Sequence, residues 1–320
     1  MNTFSMKLLL AAAGMLSVAV VQAGEEIFPE TYLTETLPRG VFEVEHAITY
    51  QANKSEGDYR LWQNRSEIEY GITDRWLAAL YINTYSVTAQ NDNSQASRRD
   101  FTSGGGDGDE VLGGGPGTFG QYVLSSTRLP IPAARYSKTD FDSLSVETIY
   151  QLLSPFTDVM GLAGYLEYSK GPRTQELEMK LLAQKDYLQD RLVLAANAVV
   201  EFERNAFALA DSWERETEVE FTGGASYRFA SNWRAGAELR NIRGYNGHSI
   251  DSNDRSYSVW FFGPQLSYTA ARWFATLGYQ RQMPWASAYD HAAQLEQVGG
   301  LNYKEFEANF VRLKIGFNFK

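Results

Sequence analysis

Polar and apolar residues alternate with a period of two through most of this chain, the period of a strand whose two faces meet different surroundings. The clearest case is the last segment. Val311, Leu313, Ile315, Phe317 and Phe319 share one face, and Arg312, Lys314, Gly316 and Asn318 the other. Near the start, Phe42, Val44, Ile48 and Tyr50 alternate with Glu43, Glu45 and Thr49. In the middle, Leu177, Met179 and Leu181 alternate with Glu176, Glu178 and Lys180, and Val219 and Phe221 with Glu218 and Glu220. Twelve such segments are predicted, at 40–50, 59–72, 76–89, 142–153, 159–169, 176–185, 191–203, 216–229, 233–243, 256–268, 273–281 and 305–319. Most reach the length of about 9–11 residues that a tilted strand needs to cross hydrocarbon.

The connections add a second pattern. Short links at Thr73–Arg75, Ser154–Asp158, Asp186–Asp190, Ala230–Asn232 and Thr269–Arg272 alternate with longer ones near 51–58, 90–141, 170–175, 204–215, 244–255 and 282–304. Transmembrane barrels have short periplasmic turns and longer outside loops, so the alternation predicts both fold and orientation. Unpaired backbone groups at a sheet edge cost several kcal/mol each in lipid, which forces such a sheet to close. The expected fold is therefore all-β, a closed antiparallel transmembrane barrel of about twelve strands over 40–320, with 90–141 as a long extracellular loop.

The N-terminus supplies an address. Lys7 precedes the apolar run Leu8–Val21, and Val21-Gln-Ala23 offers a small-residue cleavage site. This is the layout of a secretory signal peptide, expected over 1–23, followed by a periplasmic segment over 24–39. The run is shorter than the roughly 20 apolar residues of a spanning helix. Export of Sec type to the outer membrane of a Gram-negative cell is the expected route. The absence of cysteine means that no disulfide framework holds the fold. A net charge of −10 argues against a nucleic-acid partner.

Aromatic residues make up 14% of the chain, and some recur at the short turns. Tyr70-Gly-Ile-Thr-Asp-Arg-Trp76, Tyr227-Arg-Phe-Ala-Ser-Asn-Trp233 and Tyr268-Thr-Ala-Ala-Arg-Trp273 each place an aromatic before the turn and a Trp after it. Trp76, Trp233, Trp273, Phe317 and Phe319 are the expected interface aromatics, because amphipathic rings are most stable at the membrane–water boundary.

If the apolar faces meet lipid, the lumen receives Glu43, Glu45, Arg65, Glu67, Glu69, Glu176, Glu178, Glu218, Glu220, Arg234, Glu238, Arg240, Arg312 and Lys314. Unlike charges are expected opposite one another, Arg312 and Lys314 beside Glu43 and Glu45, and Arg234 and Arg240 beside the glutamates at 218 and 220. Two readings follow. The charges line a polar path, or they cross-link the interior and close it; twelve strands lie between the packed and the open barrel sizes.

Two stretches resemble a known group. Leu37-Pro-Arg-Gly-Val-Phe-Glu-Val-Glu-His46 and Glu67-Ile-Glu-Tyr-Gly-Ile-Thr-Asp-Arg-Trp76 look like the opening of the MetA-pathway phenol-degradation group of outer-membrane proteins and of related uncharacterised barrels. The resemblance covers about a tenth of the chain. It implies a channel or transport role for a small solute, without implying phenol as that solute. The ending Leu313-Lys-Ile-Gly-Phe-Asn-Phe319 resembles the C-terminal strand signal of outer-membrane proteins, which implies recognition by the barrel-assembly machinery as well as contact with outer-membrane lipid. Here Lys320 follows the terminal aromatic.

Other chemistry is thin. Gly105-Gly-Asp-Gly-Asp-Glu-Val-Leu-Gly113 resembles a calcium-binding nonapeptide repeat, with Asp107, Asp109 and Glu110 as its ligand candidates. Glu110 stands where Asp is expected, and about three stacked copies are needed for a site, so an outside loop is the better reading and no metal or other cofactor is expected. His248-Ser249 and Ser252-Asn253 loosely echo the residues of outer-membrane lipid hydrolases. The spacing does not match, so an enzyme is not expected. A closed barrel acting through its outside loops is the alternative to a channel, and a lipid hydrolase ranks below both.

Overall fold

The computed structural model describes residues 26–53, 58–90, 135–206, 213–285, 287–288 and 307–319. Twelve long strands are present among them. They are β1 (Phe42–Ala52), β2 (Asp58–Thr73), β3 (Trp76–Gln90), β4 (Arg135–Leu153), β5 (Gly161–Lys170) and β6 (Thr174–Tyr187). After these come β7 (Leu192–Ala206), β8 (Trp213–Ala230), β9 (Trp233–Asn246), β10 (Arg255–Thr269), β11 (Trp273–Gln282) and β12 (Asn309–Phe319). A two-residue bridge, Ser287–Ala288, extends the sheet beside the start of β10. Each strand pairs antiparallel with the next, and β12 pairs with β1 from Phe42↔Phe319 to Ala52↔Asn309, closing the barrel. All twelve segments expected from the alternation are strands, most of them longer than expected.

The faces are inverted relative to a water-soluble protein. Along β1, Phe42, Val44 and His46 are exposed, whereas Glu43, Glu45, Ala47 and Thr49 are buried. Leu80 and Val146 stand 48% and 55% exposed on the outer surface. A belt of large exposed apolar side chains around a polar interior is stable only when hydrocarbon is the outer solvent. Among the described residues no helix is long and apolar enough to cross a membrane; the crossing is made by strands. Trp76, Trp233, Trp273, Phe317 and Phe319 face outward at the short-turn end.

The connections differ from expectation at one place. Strands β4 and β5 are joined by 154–160, longer than the link 171–173 between β5 and β6, so strict alternation of short and long fails there. Residues 1–23 and 91–134, with the expected signal peptide and most of the long loop, lie outside the described residues.

The larger departure is the segment 26–38, expected in the periplasm. It lies inside the barrel, against the inward faces of β4, β6, β7, β9, β11 and β12. Ile27, Phe28, Glu30, Thr31 and Thr34 are all buried. The wall makes room for it with glycine: a Cβ on Gly224 would fall 2.4 Å from the Phe28 ring, and one on Gly278 would fall 2.3 Å from Pro29.

Candidate functional site: the lumen and its internal segment

Backbone groups of 26–38 have no ladder of their own, so wall side chains satisfy them. Tyr32 N–H donates to Asn197 Oδ1 (2.7 Å), and Asn197 Nδ2 donates back to the Tyr32 carbonyl (3.0 Å). Thr31 N–H donates to Glu238 Oε1 (2.8 Å) and Thr34 N–H to Gln184 Oε1 (3.0 Å). Gln151 Nε2 donates to the Thr34 carbonyl (2.8 Å). The acids of the segment meet wall cations: Arg312 Nη1 lies 3.0 Å from Glu30 Oε2, and Lys314 Nζ lies 3.1 Å from Glu26 Oε2. Arg65 Nη1 donates to the Tyr32 hydroxyl (3.2 Å). Lys180 Nζ sits 4.0 Å from the centroid of the Tyr32 ring, a cation–π contact.

All fourteen residues expected on the lumen face point inward. Glu69 is partly buried and the other thirteen are buried. Their expected pairing is different. Glu43 lies opposite Asn318 and Glu45 opposite Gly316, whereas Lys314 meets Ala47 and Arg312 meets Thr49. Arg234 lies opposite Arg228 and donates to the Asp190 carbonyl (3.0 Å). Arg240 does reach Glu220, at 2.7 Å, but from a diagonal position. The register places like charges directly opposite instead. Glu43 faces Glu69, which faces Ala79, then come Glu147, Glu167, Glu178, Glu201 and Glu218 on β4 to β8. The row is glutamate on every strand from β1 to β8 except β3.

Sequence reading missed Glu147, Glu167, Lys180, Glu201 and Glu203 as lumen residues, although each occupies a polar position in an alternating segment. It also missed the uncharged grips Gln151, Gln184 and Asn197. Glu167 is embedded by hydrogen bonds from the Tyr165 hydroxyl and from Ser169 (2.9 Å). A small cavity of about 30 Å³ remains between the segment and the wall near the short turns, lined in part by Glu26, Glu35, Glu43, Glu69 and Glu147.

The loop residues considered for catalysis are not assembled. Ser249 Oγ donates to Asp254 Oδ2 (2.6 Å), and the His248 ring bonds the Glu203 carbonyl (3.0 Å). Ser252 and Asn253 belong to a single 3₁₀ turn. Asp107, Asp109 and Glu110 lie outside the described residues.

A closed antiparallel barrel with an apolar exterior and a charged lumen is a transmembrane β-barrel of the outer-membrane class. Within that class, the chain belongs to a family of unknown function, DUF6662, which it matches over residues 20–319. No protein of curated function matches the chain by sequence. Among solved structures it is similar to the COG4313 outer membrane channel from Pseudomonas putida F1, with 11% identity, 92% of this chain and 100% of that chain covered, and a TM-score of 0.56. It also matches the NanC porin at 10% identity, with 86% and 98% covered and a TM-score of 0.46.

Proposed function

We propose that this barrel is an outer-membrane channel for passive passage of small solutes, with a lumen that favours cations and a periplasmic half narrowed by residues 26–38. The observation that carries the reading is the glutamate row. It starts at Glu43, beside the short turns, and ends at Glu218, near the long-loop end of β8. Strands about 4.8 Å apart and tilted about 40° raise such a row by about 3 Å per strand, or roughly 20 Å from β1 to β8. That is most of the apolar band of an outer-membrane barrel, about 25 Å. Directly opposed like charges are destabilising, so a row this long is costly unless cations occupy the lumen beside it. Arg65 and Lys180 offset two of its members, Glu167 at 3.6 Å and Glu178 at 2.9 Å, whereas Lys314 and Arg312 on β12 are engaged by Glu26 and Glu30 of the internal segment.

A fold likeness to a channel gives the reading company and no solute, because one fold hosts many functions. The resemblance of 37–46 and 67–76 to the MetA-pathway group points the same way. A closed lumen is the second reading, favoured by the hydrogen bonds that hold 26–38 across the interior. Single-channel recording of the refolded protein under a salt gradient decides. Steady conductance with cation preference, reduced when Glu43, Glu69 and Glu218 are changed to Gln, is expected. Silence from a demonstrably folded barrel sinks the channel reading.

A further inference from the structure

We propose that Glu176, Glu178 and Glu201 form a binding site for one calcium ion in the lumen wall, between β6 and β7. This goes beyond the channel reading and holds whether or not the barrel conducts. Each of the three side chains is buried, and one carboxylate oxygen from each lies within 4.8 Å of the other two. Oxygens about 2.4 Å from a common centre can lie no farther apart than that, which is the calcium–oxygen distance.

An independent observation concerns Glu201. Its side chain is 0% exposed, and neither carboxylate oxygen has a hydrogen-bond partner in the protein. Buried polar groups are nearly always satisfied, and one that is not calls for an ion or a water. Glu201 is directly opposite Glu178 across the β6–β7 ladder, and the diagonal neighbour Glu176 shares the same face. The adjacent carboxylates differ: Glu203 accepts from Asn205 Nδ2 (2.7 Å) and Glu218 from the Tyr257 hydroxyl (3.2 Å).

Charge gives the valence. Lys180 Nζ lies 2.9 Å from Glu178 Oε1. Three carboxylates against one ammonium leave two negative charges, which one divalent ion supplies. The donors are hard oxygens with no nitrogen or sulfur, which selects calcium or magnesium over transition metals. Magnesium demands a near-ideal octahedron and sheds water reluctantly. Three wall carboxylates of irregular geometry, with water completing the shell from the lumen, suit calcium.

The test uses the refolded full barrel, stripped with a chelator and titrated with calcium chloride by calorimetry, with magnesium chloride in parallel. One equivalent of calcium is expected to bind, at least tenfold more tightly than magnesium. Glu201→Gln and Glu176→Gln should each weaken calcium binding at least tenfold, while both variants keep the heat-dependent gel shift of a folded barrel. No calcium binding by wild-type protein up to roughly 10 mM, tenfold above the weakest dissociation constants of extracellular calcium modules, overturns the proposal. Unchanged binding by the folded variants overturns it too, placing the ion elsewhere on the glutamate row. Should the variants fail to fold, anomalous density from calcium-soaked wild-type crystals at these three carboxylates, or its absence there, decides. A silent barrel that binds calcium refutes only the channel reading. A conducting barrel that ignores calcium refutes only the site.

Discussion

Replacing Asn197 with Leu should loosen the internal segment while leaving the wall intact. Asn197 holds both backbone groups of Tyr32, at 2.7 and 3.0 Å, and accepts a third hydrogen bond from the Thr222 hydroxyl at 3.1 Å. Leu nearly conserves volume, so packing changes little. The Tyr32 N–H and carbonyl are then left facing an apolar side chain. An unsatisfied buried group costs about 1–3 kcal/mol, and lumen water that reaches one of them moves its cost to the low end. The pair together should cost about 2–4 kcal/mol. At 1.4 kcal/mol per tenfold, the segment should open roughly 30- to 700-fold more often. Hydrogen exchange read by mass spectrometry on the peptide covering 26–37 measures this directly. Protection there should fall by that factor while amides of β7 keep theirs. Unchanged protection in 26–37 would refute the reasoning, because the Tyr32 hydrogen bonds would then not hold the segment. Loss spread through β7 would refute it differently, by showing that the wall needs Asn197 for itself.

Three further outcomes are expected. Val146→Arg puts a charge on the lipid face, where it should cost about 2–4 kcal/mol near the midplane; urea unfolding in lipid vesicles reads it, and a neutral result would argue against a membrane-facing β4. Arg312→Met strips the buried Glu30 carboxylate of its 3.0 Å partner and leaves it Arg240 at 3.8 Å, so the loss should fall at the low end of the about 3–5 kcal/mol that breaking a buried pair from one side costs. The double change Arg312→Met with Glu30→Met should recover most of that loss in the same assay. Gly278→Val should crowd Pro29 out of its seat, raising exchange in 26–37 without lowering the amount of closed barrel on a gel; an unaffected segment would show that it does not seat there.

The period-two pattern made the strands legible because lipid and lumen differ so sharply in polarity. Each residue from Val311 to Phe319 carries its face in its side chain. Register is a different matter. Whether Glu201 meets Glu178 or Lys180, two positions further along β6, depends on which backbone hydrogen bonds form, and turn sequences fix that only loosely. The expectation of unlike charges opposite one another followed the usual energetic preference, and the row of opposed glutamates overrides it. The internal segment was hidden for another reason. Residues 26–38 carry Pro29 and Pro38 and no period, so nothing separates them from an ordinary linker. The signal lay in the wall: Ala163, Leu182, Val193 and Ala195 are apolar residues at inward positions, with Gly224 and Gly278 nearby. Apolar inward residues in a lumen otherwise full of charge need something to cover them, and Tyr32, Leu33, Ile27 and Phe28 do so.

The internal segment also bears on the order in which the molecule is built. Its partners lie far along the chain: Thr34 binds Gln184, 150 residues on, and Glu26 binds Lys314, 288 residues on. Contacts of such long range form late, after the loops between them have been closed. Arg312 and Lys314 belong to the final strand, so the grip on Glu26 and Glu30 cannot be completed before β12 has been laid down beside β1. A barrel assembled strand by strand therefore carries its own completion marker. Tyr32 takes its hydrogen bonds and packing from β2 to β7, whereas capture of Glu26 and Glu30 by Lys314 and Arg312 requires the seam to have zipped.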